Sequence, residues 1–173
     1  MRNIISYANL KLKVNNITKN FKFQDNEIEV FQYLPMSDKY DLVMITLQKS
    51  AEEMIYNPIK LDMYFHLHLV YMYSNLNFTQ KQKEDEEKIY DCLKSNGLLD
   101  LILQHIPETE YQELLNFIEE LIEVKYKHSL SAAGIVEKII SDLPKQAEAM
   151  REILKDYDSD KISNILTLAE KLQ

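Results

Sequence analysis

The chain of 173 residues is 46% hydrophobic, which is enough apolar content to form the core of one domain of ordinary size. Its 28 acidic and 20 basic residues give a net charge of −8, which disfavours nucleic-acid binding through a Lys/Arg surface. Cys92 is the single cysteine and Gly97 and Gly134 are the two glycines, so an internal disulfide, a cysteine zinc site and a glycine-rich nucleotide loop are all excluded.

The N-terminal residues lack both the long apolar run and the small-residue cleavage site of a signal peptide. No part of the chain has the uncharged apolar run of about 18 residues that a membrane-spanning helix needs. We therefore expect a protein that stays in the cytoplasm where it is made and does not bind membranes.

A β-hairpin is predicted near the N-terminus. Residues 21–34, FKFQDNEIEVFQYL, alternate apolar and polar side chains on both sides of a short polar turn, and Ile28 and Val30 share one face. Two strands alone are marginally stable in water, and the alternating run LKLKV at residues 10–14 is a candidate third strand. The sequence thus predicts either a hairpin or a three-stranded element.

Helix start signals follow the hairpin. Pro35 ends the extended segment, Ser37 is predicted to be the N-cap of the next helix, and Asp38 falls in its first turn, where the helix dipole favours negative charge. Asn57 and Pro58 are predicted to open the second helix, because proline at the first helical position loses no hydrogen bond.

The second half of the chain also has helical patterning. Thr79 is a predicted cap for one helix over 80–97, and Gly97 is a predicted left-handed residue at its end. Pro107 then starts a long acidic helix. One face of that helix carries apolar residues at steps of three and four: Tyr111, Leu115, Ile118, Ile122 and Tyr126.

The apolar period continues after the interruption HSLSAAG, so residues 108–143 are predicted to form either one bent helix or two stacked helices. Pro144 predicts a helix boundary, followed by a helix over 145–156 and, after a cap at Ser159, another over 160–173. The predicted fold is a mainly α, multi-helix single domain over 1–173, with a β-containing segment at 1–35 and a helical body at 36–173.

The segment KLDMYFHLHLVYMY, residues 60–73, is apolar at almost every helical angle, which is typical of a central helix. We expect Phe65, Leu69 and Met72 in the core. Since its tyrosines keep a polar tip that suits interfaces, coverage of part of this segment by another chain is the alternative.

His66 and His68 in this segment are two residues apart, so on a helix they point roughly 200° away from each other and do not bind one ion together. We expect one to be a core histidine hydrogen-bonded through one ring nitrogen and the other to lie nearer the surface. A metal site would need His105 or His128 from elsewhere, and none is predicted.

No residue pattern typical of catalysis occurs in the chain. The carboxylates of KEDEEK (83–88) and EELIEVK (119–125) are predicted to form solvated helix faces, because a catalytic pair requires a pocket and a perturbed pKa. Cys92 has no adjacent histidine or basic helix start to lower its pKa. We therefore predict no catalytic residue, no cofactor and no enzymatic activity.

The string NEIEVFQYLPMSDKYDLV, residues 26–43, resembles the opening of small helical proteins encoded among the virion-morphogenesis genes of tailed bacteriophages of Gram-positive hosts. The strings at residues 55–79 and 90–100 extend the resemblance over about half of the chain. Within that group, the sequence is most similar to a tail assembly chaperone. The matching positions, to which no binding role is carried over, are Ile28, Val30, Gln32, Tyr33, Leu34 and Pro35.

The resemblance implies an acidic helical protein, in the cytoplasm of the infected bacterium, that coats the tape-measure protein before the tail tube polymerises around it. Tyr111, Ile118 and Tyr126 are candidate partner-binding residues, because a long helix is hard to cover within one small domain; burial against a neighbouring helix is the alternative. Two other functions fit the sequence: a structural virion component of the head–tail connector or tail, and a small regulator that binds and inhibits a host or defence protein. The oligomeric state, including a homo-oligomer, stays open.

Overall fold

The structure is a computed structural model that describes residues 5–52 and 55–155. A short 3-10 turn covers Tyr7–Leu10. The strands are β1 (Thr18–Phe23), β2 (Asn26–Phe31), β3 (Ala51–Glu52) and β4 (Ile55–Tyr56). The α-helices are α1 (Met36–Ser50), α2 (Pro58–Tyr73), α3 (Gln80–Lys83), α4 (Glu86–Ser95), α5 (Leu98–His105), α6 (Glu108–Ser129) and α7 (Ala132–Lys155). The predicted mainly α fold with a small N-terminal β element is confirmed.

Contacts between the elements divide the chain into two compact units. Unit 1 is Met1–Glu120 and unit 2 is Leu121–Gln173, so that the boundary falls inside α6. Unit 1 contains the strands and α1 to α5, and unit 2 contains the last part of α6 and α7. The single domain predicted over 1–173 stays a prediction.

The predicted hairpin is present. β1 and β2 pair in antiparallel register from Thr18 opposite Phe31 to Phe23 opposite Asn26. The two-residue turn between them begins at Gln24, whose φ of 55° is the left-handed conformation that tight hairpin turns require. Ile28 and Val30 are buried, which confirms the face predicted from the alternation.

The candidate third strand at 10–14 lies in no strand. The free edge of β2 is instead occupied by residues that follow α2. The Asn75 N–H donates to the Glu29 carbonyl at 3.1 Å, and the Glu29 N–H donates to Asn75 Oδ1 at 3.1 Å. Val30 also forms an isolated bridge with Ser74. The backbone and side chain of Asn75, which is distant in sequence, thus form the hydrogen bonds to the edge of β2 that a third strand would have formed.

The N-cap predicted at Ser37 is wrong. α1 begins at Met36, and the carbonyl of Pro35 accepts from the N–H groups of Asp38 and Lys39, both at 3.0 Å. The Ser37 hydroxyl donates to Asp38 Oδ1 at 3.1 Å instead of capping the helix. Asp38 does lie in the first turn, as predicted.

The start of α2 agrees with the sequence prediction. Asn57 Oδ1 accepts from the N–H groups of Ile59 and Lys60, at 3.0 and 3.2 Å, and Pro58 is the first helical residue. α2 packs against α1, α4 and α5, which makes it the central helix that its apolar surface predicts.

Phe65 and Leu69 in α2 are buried, as predicted. Met72 is only half-buried, so its assignment to the core is wrong. Met72 lines a cavity beside α1 and α3, which leaves part of its side chain uncovered.

The helix predicted over 80–97 is two helices. Thr79 and Gln82 form a reciprocal capping box at α3, but the Asp85 side chain then accepts from the Lys88 N–H at 3.3 Å and starts α4. Asp85 is thus a second capping residue within the predicted helix, and it divides that helix into α3 and α4. Gly97 has the predicted left-handed conformation, with φ of 74°, and directly precedes α5.

Residues 108–143 resolve into two helices, α6 and α7, separated by Leu130 and Ser131. Gly134 in the first turn of α7 is required by a close approach, because a Cβ there would collide with the carbonyl oxygen of His128.

The helix boundary predicted at Pro144 is wrong, since α7 continues through this residue to Lys155. Residues 145–155 are mostly strong helix formers, whose propensity offsets the one backbone hydrogen bond that proline removes. The predicted Ser159 cap and the helix at 160–173 lie outside the described residues.

A buried carboxylate joins four segments of unit 1. Lys39, which is 2% exposed, donates from Nζ to Glu110 Oε1 at 2.8 Å and also pairs with Glu113. Glu110 Oε2 accepts from the backbone N–H of Leu34 at 3.1 Å and from the Tyr73 hydroxyl at 2.9 Å. Glu110 on α6 is therefore bonded to α1, to α2 and to the segment that leaves the hairpin.

The ionisation of these groups follows from their surroundings. Burial opposes the positive charge of Lys39, but the hydrogen bonds to Glu110 and Glu113 outweigh it and raise the pKa of Lys39 above its ordinary value. Burial, reinforced by the hydrogen bond to Glu110, raises the pKa of the Tyr73 hydroxyl, which therefore remains a donor.

Substitution of this carboxylate is expected to be costly. Glu110→Ala leaves the Leu34 N–H and the Tyr73 hydroxyl without an acceptor in the core and removes one counter-charge of Lys39. We expect the free energy of unfolding in urea to fall by about 3 kcal/mol or more. Glu113→Ala is the matched control, because it removes the other carboxylate from the same lysine but is partly exposed. Its loss should be about 1 kcal/mol, and equal losses would contradict the central role of Glu110.

Candidate functional site

Unit 2 exposes a set of large apolar side chains, here called the unit 2 apolar surface. Their exposed fractions range from 38% for Leu121 to 65% for Tyr126. The members are Leu121, Val124, Tyr126, Leu130, Ile135, Val136, Ile140 and Leu143. Single exposed apolar residues are common on protein surfaces, but so many between residues 121 and 143 is typical of an interaction site.

Three of these residues share one side of α7. Val136, Ile140 and Leu143 follow one another at steps of four and three, so they line one side of α7. Lys138, roughly 200° around the helix from Val136, is also exposed. An apolar stripe with a polar opposite side normally packs into a core, whereas the described residues of this stripe are open to solvent.

The three candidate binding residues on α6 have different environments. Ile118 is 2% exposed, in the core of unit 1, so it offers no surface to a partner. Tyr111 is half-buried; its hydroxyl lies 3.1 Å from His66 Nε2 and its ring centroid 5.4 Å from that of Phe65. Tyr126 is exposed and belongs to the unit 2 apolar surface.

The predicted stripe on α6 is therefore not one surface. The N-terminal half of α6 packs within unit 1 through Ile118 of that stripe and through Leu114, which lies outside the predicted stripe; both are buried. The remaining exposed residues lie mostly on α7, and sequence reasoning did not select them as binding residues. Their periodicity was visible in the sequence, but periodicity shows only that residues share a side of a helix and not whether another element covers that side.

Helix α6 also carries exposed carboxylates. Glu119, Glu120 and Glu123 are exposed, as predicted, and Lys127 bonds to Glu123 at 2.6 Å. This hydrogen bond lowers the pKa of Glu123. The predicted solvated face at 83–88 holds with one exception: Glu86 is half-buried and pairs with Lys49.

The two histidines of α2 have the environments predicted for them. His68 is 3% exposed, and its Nδ1 lies 2.9 Å from the Thr46 hydroxyl. His66 is nearer the surface, with Nδ1 3.4 Å from Asp62 Oδ1 and Nε2 facing Tyr111. Burial, followed by the charges of Lys49 and Lys83, lowers the pKa of His68 to about 4.

Within residues 5–52 and 55–155, no three His, Cys, Asp or Glu side chains are grouped as metal ligands would be. His105 makes structural contacts, since its Nδ1 lies 2.8 Å from the Leu101 carbonyl and its ring stacks on Phe21. In the same residues, no helix combines the length and apolar character needed to cross a bilayer.

Comparison of the chain with models of known protein families, with curated proteins and with solved structures finds no match. The resemblance of residues 26–43 to phage tail assembly chaperones therefore stays a prediction. The unit 2 apolar surface is a feature of the described residues that favours a function in binding.

The pKa of His68 makes stability depend on pH. An ordinary histidine in the unfolded chain titrates near pH 6.5, and His68 in the folded chain near pH 4, so the unfolded state binds more protons between these values. The contribution of His68 to the free energy of unfolding is complete above about pH 6.5. It falls by about 3 kcal/mol as the pH is lowered towards 4.

We expect His68→Gln to remove this part of the pH dependence. Urea unfolding of both proteins across this pH range measures it, and carboxylate titrations common to both proteins cancel in the difference. If the free energies of unfolding of the two proteins change with pH in parallel, the pKa of His68 is not lowered by folding.

Proposed function

We propose that this protein is a non-enzymatic phage assembly protein that acts by binding other proteins, and that it is a tail assembly chaperone for the tape-measure protein. The observation that carries the proposal is the unit 2 apolar surface, with its eight exposed large side chains on α6, on α7 and at Leu130 between them. Its place of action would be the cytoplasm of the infected bacterium.

The chemistry of the surface suits an unassembled helical partner. A tape-measure protein exposes long apolar helical stripes before the tail tube forms around it, and such stripes associate with apolar grooves and helix faces. Burying one large apolar side chain fully contributes about 1.5–3 kcal/mol, so several half-exposed ones together support stable binding. The net charge of −8 keeps a protein with such a surface soluble.

The distribution of polar contacts also fits binding better than catalysis. The most buried charged groups, Lys39 and Glu110, are bonded to each other and to the Leu34 backbone and Tyr73 in the core of unit 1. The exposed carboxylates Glu119, Glu120 and Glu123 of α6 line none of the described cavities.

Co-expression with the tape-measure protein of its own phage tests this function. We expect the wild-type protein to keep the tape-measure protein in the soluble fraction. Ile140→Lys should abolish this effect without loss of folding, because Ile140 is 61% exposed and a lysine there puts a charge into the apolar contact.

Ile59→Lys is the matched control. Ile59 is 79% exposed on α2 in unit 1, so the same substitution should leave both folding and solubilisation unchanged. Equal solubilisation by both variants would contradict binding through the unit 2 apolar surface. Mass spectrometry of purified virions provides a second test: a chaperone should be absent, whereas a fixed number of copies per particle would identify a structural component instead.

A further inference from the structure

A cavity of about 320 Å³ lies between α1, α2, α3 and the start of α4 in unit 1. One part of its wall is apolar and contains Ile45 and Met72, and the other part contains His68, Tyr71 and Lys83. Because one water occupies about 30 Å³, the cavity has room for roughly ten atoms of that size. Small-molecule sites combine an apolar wall with a few polar groups in this way.

Two buried polar atoms at this cavity lack a hydrogen-bond partner among the described residues: His68 Nε2 and the Tyr71 hydroxyl. An unsatisfied buried polar group costs about 1–3 kcal/mol, and most such groups in proteins are satisfied by a partner. The two side chains lie near each other, with ring centroids 5.9 Å apart, and both line the cavity.

The charge of the cavity favours an anion. Lys49 pairs with Glu86, whereas Lys83 has no ion-pair partner within the described residues and its Nζ lies 4.9 Å above the Tyr71 ring centroid. Lys49, Glu86 and Lys83 together carry a net charge of one positive unit at the cavity that His68 and Tyr71 also line. An anion placed there would gain both a counter-charge and hydrogen bonds.

Both polar groups are neutral at neutral pH and able to donate. Burial, followed by the negative charge of Glu86, raises the pKa of Tyr71 to about 12, so its hydroxyl keeps its proton. His68 is also uncharged. When the Thr46 hydroxyl donates to His68 Nδ1, the ring proton lies on Nε2.

We propose that this cavity binds a small monocarboxylate. Its carboxylate accepts hydrogen bonds from the Tyr71 hydroxyl and His68 Nε2 and faces the Lys83 ammonium, and its apolar part contacts Ile45 and Met72. Several water molecules would satisfy the same donors but would leave the apolar wall at Ile45 and Met72 without apolar contacts. This site lies in unit 1, so it is independent of the function proposed for the unit 2 apolar surface.

Benzoate is a suitable probe because it combines a carboxylate with an apolar ring. NMR of the full chain should show saturable shifts of the His68 and Tyr71 ring resonances with benzoate. Benzamide, which has the same shape and no charge, should bind at least tenfold more weakly, since a charge-assisted hydrogen bond is worth about 1.5–3 kcal/mol.

Two lysines of α3 provide matched variants. Lys83→Gln should weaken benzoate binding at least tenfold, and Lys81→Gln, on the same helix but lining a different cavity, should leave it unchanged. Absence of saturable shifts, or equal binding of benzoate and benzamide, would show that the cavity holds water only. Equal weakening by both variants would show that benzoate binds by surface charge and not in this cavity.

Discussion

The buried carboxylate of Glu110 is the interaction on which the rest of unit 1 depends. A charge in a protein core is tolerated only when its hydrogen bonds are satisfied, and here the partners come from the segment after the hairpin, from α1 and from α2. Each partner is more than thirty residues away from Glu110 in sequence. The chain must therefore bring α6 against the first two helices before this charge is satisfied, which couples the arrangement of these elements to one residue.

The central helix α2 shows how polar atoms are accommodated in an apolar environment. Tyr73 donates to Glu110 at one end, and His68 in the middle faces Thr46 on α1. Only the side towards α3 departs from this pattern, where His68 Nε2 and the Tyr71 hydroxyl lack partners among the described residues. The proposed carboxylate site follows from this contrast, because a helix that otherwise satisfies its polar atoms leaves two of them beside a cavity and a lysine.

Helices α2 and α7 differ in the burial of their apolar residues. The second half of α2 and the first part of α6 bury large apolar side chains, including Leu69 and Ile118. In unit 2, residues with the same spacing on α7, such as Ile140, remain exposed. Since exposure of large apolar side chains is unfavourable for an isolated chain in water, this difference favours a function for α7 in which another protein covers it.

Local signals in the sequence determined the hairpin turn, the Asn57 and Thr79 caps, the left-handed Gly97 and the central position of α2, because each depends on a few neighbouring residues or on a helical period. The tertiary structure decided what those signals leave open. Ile118 and Tyr126 share one helical pattern, yet one is buried and the other exposed, since burial depends on which distant element packs against that side. The same reason explains the Glu110 network and the contact between His68 and Thr46, because a hydrogen-bond partner more than twenty residues away leaves no periodic trace in the sequence.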